Sequence, residues 1–219
     1  MVLSISDWAS ALRSNGATAV DQYEEKLRSF GSNSQKVFEM LSEARAAIMF
    51  LRAGVGVTMR DKPDLFLEFN GQQLYAEVKH FNWKATDTRD EETMRARPLE
   101  FVRVGNVVDD EGKHQYEQMC SIAMRKVSQY MAGFPNILVF VNHSPSVDLM
   151  LQSAVNEYDD EVRKPGANPD LRKLSGMMML GTIARVGFGG GNIDLQPTQY
   201  AYRPLSYAFG AAMGQIQFA

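Results

Sequence analysis

The chain has 219 residues, 45% of them hydrophobic and 22% charged, with a net charge of −3 and one cysteine. That length supports one well-buried domain, or one domain with a small appendage, and the lone Cys120 excludes an internal disulfide framework and a cysteine-based zinc cluster. The negative charge argues against a protein that coats nucleic acid electrostatically. No apolar run approaches membrane-spanning length, and Met1 to Ser6 lacks the basic start of a signal peptide, so a cytoplasmic protein that does not touch a membrane is expected.

Ser6 to Ser14 and Thr18 to Phe30 read as two polar-rich helices joined at Asn15-Gly16, with Ser-Asp and Thr at their starts, and make up an N-terminal accessory segment over residues 1–32. Val37, Met40, Leu41, Ala44, Ala47, Ile48 and Leu51 recur at helical spacing and predict an amphipathic helix stopped at Gly54. Glu43 projects at the border of that apolar stripe, between Ala47 and Phe50, whereas Glu39 and Arg45 fall toward solvent. A carboxylate beside a core needs a partner; otherwise Glu43 is a surface residue with its stem on apolar neighbours. Val55 to Arg60 then predicts a short strand.

Asn70-Gly71 lies between two alternating runs, Asp64 to Phe69 and Gln72 to Lys79, and is the strongest short-range signal for a two-residue type I′ hairpin. That turn sets Phe69 against Gln72, Leu67 against Leu74 and Asp64 against Glu77. Like charges directly opposed on a sheet destabilise it unless something positive lies between them. A divalent cation would resolve the conflict. Lys79 shares the Glu77 face, and Leu65, Leu67, Leu74, Ala76 and Val78 take the other.

The stretch from Phe81 to Lys113 is long for a connection in a compact domain. Trp83, Lys84, Arg95, Arg97 and Arg103 are interleaved there with acids, as in a solvated loop. A helix is expected through Tyr116, Met119, Cys120, Ala123, Val127 and Tyr130, ending near Gly133, followed by a buried strand from Pro135 to Val141. Val147 to Lys164 reads as another helix, stopped at Pro165-Gly166, and Leu174 to Ala184 as a strand whose three methionines fill core. Gly187 to Asn192 lacks the Gly-Lys-Ser/Thr of a phosphate loop and reads as a hairpin loop. Tyr200, Tyr202 and Arg203 are of the kind that stacks on bases, with edge-strand aromatics beside Pro204 the plainer reading.

Pro63-Asp64, twelve intervening residues and Glu77-Val78-Lys79 resemble the signature of the PD-(D/E)XK nuclease superfamily, the restriction-endonuclease-like fold. Ser42-Glu43-Ala44-Arg45-Ala46-Ala47, followed by Leu51 and Gly54, is similar to the helix that in this family turns a Glu toward the metal site. The resemblance spans residues 34–141. It implies an α/β fold with an αβββαβ core, a mixed sheet flanked by helices, over residues 33–145 with the excursion at 81–113, and a C-terminal helix and strands over 146–219 packed on that core. It further implies a Mg²⁺- or Mn²⁺-dependent nuclease, DNA before RNA as substrate, with Asp64, Glu77, the Val78 carbonyl and Glu43 as ligands and Lys79 positioning the attacking water. The second helix of such proteins often offers a Lys or Gln; Gln118, Lys126 and Gln129 all qualify here. A homodimer is compatible with the resemblance. A silent nuclease-fold module that binds nucleic acid or a protein, and an enzyme of another phosphoester class, are the alternatives.

Overall fold

A computed structural model describes residues 5–30, 33–81, 114–142, 151–183 and 194–202. In chain order the elements are α1 (Ile5–Ser14), α2 (Val20–Ser29), α3 (Ser34–Arg52), β1 (Gly56–Met59), β2 (Leu65–Phe69), β3 (Gln72–Phe81), α4 (Gln115–Arg125), a 3₁₀ turn (Val127–Gln129), β4 (Asn136–Asn142), α5 (Leu151–Arg163), a second 3₁₀ turn (Pro169–Lys173), β5 (Leu174–Ile183) and β6 (Asp194–Tyr202). The strands form one six-stranded sheet in the order β1-β2-β3-β4-β5-β6.

The centre of the architecture is the hairpin. Asn70 and Gly71 have φ of 51° and 74°, the left-handed pair that a type I′ turn requires. The register follows as expected from the turn, Phe69 with Gln72 and Leu67 with Leu74, out to Leu65 with Ala76. An Ala at Gly71 would meet no atom within 4 Å, so its cost is backbone strain alone. Gly71→Ala is therefore expected to destabilise the protein by about 1 kcal/mol in urea unfolding; an unchanged midpoint would remove the turn as the source of the register.

β1, β2 and β3 are antiparallel neighbours, β3-β4 and β4-β5 are parallel, and β6 returns antiparallel to β5. Parallel neighbours need crossovers, and α4 and α5 lie in those two connections. The result is an α/β fold with a mixed sheet. Ile137 to Val141 are almost fully buried, as a strand covered on both faces demands. Met177 and Met179 enter one core while Met178 enters the other, so the methionine run is core filling, as expected.

The larger core joins α1, α2 and α3 to one sheet face through residues such as Leu12, Leu27, Phe50, Leu65, Leu74 and Val139. α1 and α2, expected as an accessory element, thus share a core with the hairpin. The second core packs α4 and α5 on Leu138, Phe140, Met177 and Met179. α3 ends where Gly54 predicts: Gly54 N–H donates to the Leu51 carbonyl and Val55 N–H to the Phe50 carbonyl, both at 3.0 Å. That pair of bonds is the Schellman arrangement.

Two boundaries differ from the sequence expectation. Thr18 does not cap α2; Ala19 precedes it at φ 55°, while Thr18 forms a parallel bridge with Thr58 of β1, its hydroxyl 2.8 Å from the Thr58 hydroxyl. The edge strand's unpaired backbone groups outcompete the helix start for this residue. Likewise α4 stops at Arg125 and not near Gly133, with the remaining periodic residues in a 3₁₀ turn; the 3.6-residue pattern cannot distinguish the two over one turn. Trp83, Lys84, Arg95, Arg97, Arg103, His143, the Gly187–Asn192 run and Arg203 lie outside the described residues, and the predicted helix and strand are described only from Leu151 and only to Ile183.

Candidate active site

β2 is last paired at Leu65 with Ala76. One residue further back the register sets Asp64 across from Glu77, at a position where alternation of the antiparallel ladder brings side chains closest. Both are buried, at 5% and 2% exposure, and Glu43 joins them at 7%. The Asp64 carboxylate turns into the hydrogen-bonding plane of the sheet, where its Oδ2 accepts the Val78 N–H at 2.7 Å. Opposite Val78 the register reaches Pro63, which falls outside β2, so the Asp64 carboxylate accepts the N–H in place of a ladder carbonyl. Since N–H and C=O of one strand residue point to the same edge, the Val78 carbonyl faces the same gap.

Lys79, two residues beyond Glu77 and on its face, places Nζ 3.1 Å from Glu77 Oε1, and Lys126 places its own Nζ 3.0 Å from that oxygen. Two ammonium groups therefore share one carboxylate oxygen. Lys126 caps the C-terminal end of α4, and the crossover brings it beside β3. Of the candidates on the second helix, Lys126 reaches the site. Gln118 lies about two turns back along α4, and Gln129 sits in the 3₁₀ turn with its Oε1 buried and without a hydrogen-bond partner.

The electrostatics follow from burial of like charges. Desolvation, and then the Glu77 charge, push the Asp64 carboxyl up to about 7, with Lys79, the Val78 amide and Lys126 pulling the other way. Glu43 is held well above the ordinary carboxylate range, first by desolvation and then by Asp64. Burial works against the Lys79 charge, but Glu77 and Asp64 outweigh it and hold its pKa above the ordinary lysine value. Lys126 is lowered, by burial and by its lysine neighbour, against the pull of Glu77.

The oxygen set suits a hard cation. Glu43 Oε2 and Glu77 Oε2 are buried with no hydrogen-bond partner, and a buried carboxylate oxygen left in that state is costly. Among the described residues no group of three His, Cys, Asp or Glu side chains stands close enough to form a preformed cage.

Sequence reasoning missed Tyr23 and Lys26, which sit three apart on one face of α2. The Tyr23 hydroxyl donates to the Met40 carbonyl of α3 at 2.5 Å, and the charges of Glu43 and Asp64 join burial in raising its pKa. Lys26 pairs with Asp61 at 2.8 Å, and Glu43 and Asp64 also favour its charge, against desolvation. No local signal in a polar-rich helix marks these two positions. Among the described residues, histidine and cysteine chemistry have no part in the cluster: His80 Nδ1 lies 3.0 Å from Ser42 Oγ, tying β3 to α3, and burial pushes the Cys120 thiol up to about 12 in the second core. Compared with protein-family models, curated proteins and solved structures, the chain matches none.

Proposed function

We propose that the chain is a metal-dependent phosphodiester hydrolase, a nuclease of the PD-(D/E)XK type, with DNA before RNA as substrate by that resemblance. One observation carries the reading: three buried carboxylates, Glu43 of α3, Asp64 just before β2 and Glu77 of β3, lie near enough for their charges to act on one another, with Lys79 on the Glu77 face. Burying several like charges costs stability, and a fold keeps such a group where a cation is to be bound. The αβββαβ order of α3 to β4 is the order this superfamily implies.

Asp64, Glu77, the Val78 carbonyl and Glu43 would hold Mg²⁺ or Mn²⁺. When bound, such an ion neutralises charge on the scissile phosphate and lowers the pKa of its water. The Lys79 ammonium, positioned by Glu77, directs a donor toward the attacking water and the developing charge. Lys126, 3.0 Å from Glu77 Oε1, orients that carboxylate. The Val78 N–H fixes the Asp64 carboxylate against β3.

A second reading, a nuclease-fold module that binds nucleic acid or protein without cleaving it, is favoured by a different observation: Lys79 and Lys126 already compensate Glu77, so part of the site is neutral without a cation. Titration calorimetry with Mn²⁺, followed by incubation with plasmid, single-stranded DNA and RNA, separates the two. The nuclease reading expects heat of binding that Asp64→Asn removes, and cleavage that needs the metal. Neither signal is expected of a silent module.

A further inference from the structure

We infer that Phe66, Phe134 and the Arg60 guanidinium form a stacking platform for unpaired bases beside the carboxylate site, so that the substrate is a single-stranded stretch of nucleic acid and not an uninterrupted duplex. The inference rests on the nuclease reading and deepens it. Tyr75 is two residues before Glu77 on β3, hence on the same face and about 7 Å away along the strand, and Phe66 of β2 is its register partner. The Phe66 and Tyr75 rings are 5.2 Å apart, Phe134 meets Tyr75 edge-on at 5.3 Å, and the Arg60 guanidinium lies 5.2 Å over the Tyr75 ring. Tyr75 is buried as the keystone, while Phe134 is 39% exposed.

Phe134 is not a loose surface residue. Asn136 Nδ2 donates to the Phe134 carbonyl at 2.8 Å and to the Met131 carbonyl at 2.9 Å, and Asn136 Oδ1 accepts from Met131 N–H. On its other side the Pro135 carbonyl accepts the Tyr75 N–H at 3.0 Å. An exposed aromatic ring on a turn locked from both sides is preorganised for contact, with little ordering entropy left to lose on binding.

No helix among the described residues covers this face over β1 and β2. Among the described residues the second core contains side chains of β4 and β5 and none of β1 or β2, and a groove of about 340 Å³ runs over those two strands, with Gly56, Thr58, Phe66 and Glu68 in its lining. Glu68 repels phosphate there, which suits bases laid on aromatic surface with the backbone turned away. At the site end the charge reverses, where Lys79 and Lys126 stand. A duplex hides its base faces in its own stack and is held chiefly through its phosphates; a chain of net charge −3 is poorly equipped for that. Base stacking on aromatic side chains adds affinity to what the few cations at the site end supply.

The test is fluorescence anisotropy of the full chain in EDTA with an oligothymidylate probe about twelve nucleotides long, the same probe with abasic central positions, and a hairpin duplex. The single strand is expected to bind roughly tenfold tighter than the duplex, and to lose roughly tenfold with abasic positions or with Phe134→Ala, while Phe134→Trp retains binding. Equal or tighter duplex binding, no binding of the single strand, or a Phe134→Ala protein of unchanged circular dichroism that binds like the parent would overturn the platform. Cleavage after adding Mn²⁺ separates the two ideas: Phe134-dependent binding without cleavage sinks the nuclease and keeps the platform, and cleavage of duplex indifferent to Phe134 does the reverse.

Discussion

Lys79→Ala should reduce metal-dependent phosphodiester cleavage on the order of a hundredfold or more while leaving metal binding largely intact, because it removes a donor to developing charge and no oxygen ligand. The structure makes this variant informative in a way a surface lysine would not be. Lys126 also stands 3.0 Å from Glu77 Oε1, so removing Lys79 should not strand the carboxylate without a counter-charge. Stability should therefore change by about 1 kcal/mol or less, because Lys79 is itself partly exposed and a second ammonium remains on the buried carboxylate. Single-turnover cleavage beside urea unfolding checks both halves. Full activity in the purified variant would remove Lys79 from the chemistry, and with it most of the support for the motif.

The next largest effect concerns metal, stability and pH together. Asp64 has a native pKa of about 7 against an ordinary value of 3.8, so between those values the native state holds a proton that the unfolded chain has lost. Stability from this group is fully present below the lower value and is lost as pH rises through about 7. Glu43 is shifted in the same direction. A divalent cation selects the ionised carboxylates, so its stabilisation should be small near pH 5.5 and grow through pH 8, reaching about 2.7 kcal/mol when free metal is about a hundred times its Kd. Melting curves with and without Mn²⁺ across that range, repeated on Asp64→Asn, give the answer: the metal-dependent rise in Tm should vanish in the variant. A melting temperature indifferent to Mn²⁺ at every pH would favour the silent module.

Much of the hairpin is legible from local rules. Asn70-Gly71 tolerates positive φ at two successive residues, and a two-residue turn leaves a single register open, so the turn alone relates Asp64, Glu77 and Lys79 to one another. The place of Glu43 at the border of the apolar stripe is legible from helical spacing, and the end of α3 from Gly54. These inferences reach no further than one element or one turn, where backbone sterics and side-chain periodicity decide.

What lies beyond their reach depends on how elements pack. Gln118, Lys126 and Gln129 all sit on plausible helical positions, and only the placement of α4 across the sheet brings the Lys126 ammonium to Glu77. Tyr23 and Lys26 belong to a helix whose own sequence carries no mark of a site; the shared core with α3 places them near Glu43 and Asp64. Thr18 is drawn to the open edge of β1 by backbone groups a long way off in sequence. The side-chain period and the turn chemistry of this chain determine which residues share a strand face, because those constraints are local. Which charged groups meet, how deeply they are buried and therefore how far their proton affinities move are decided by the tertiary structure, since desolvation and Coulomb energy depend on distances between elements that no local pattern encodes.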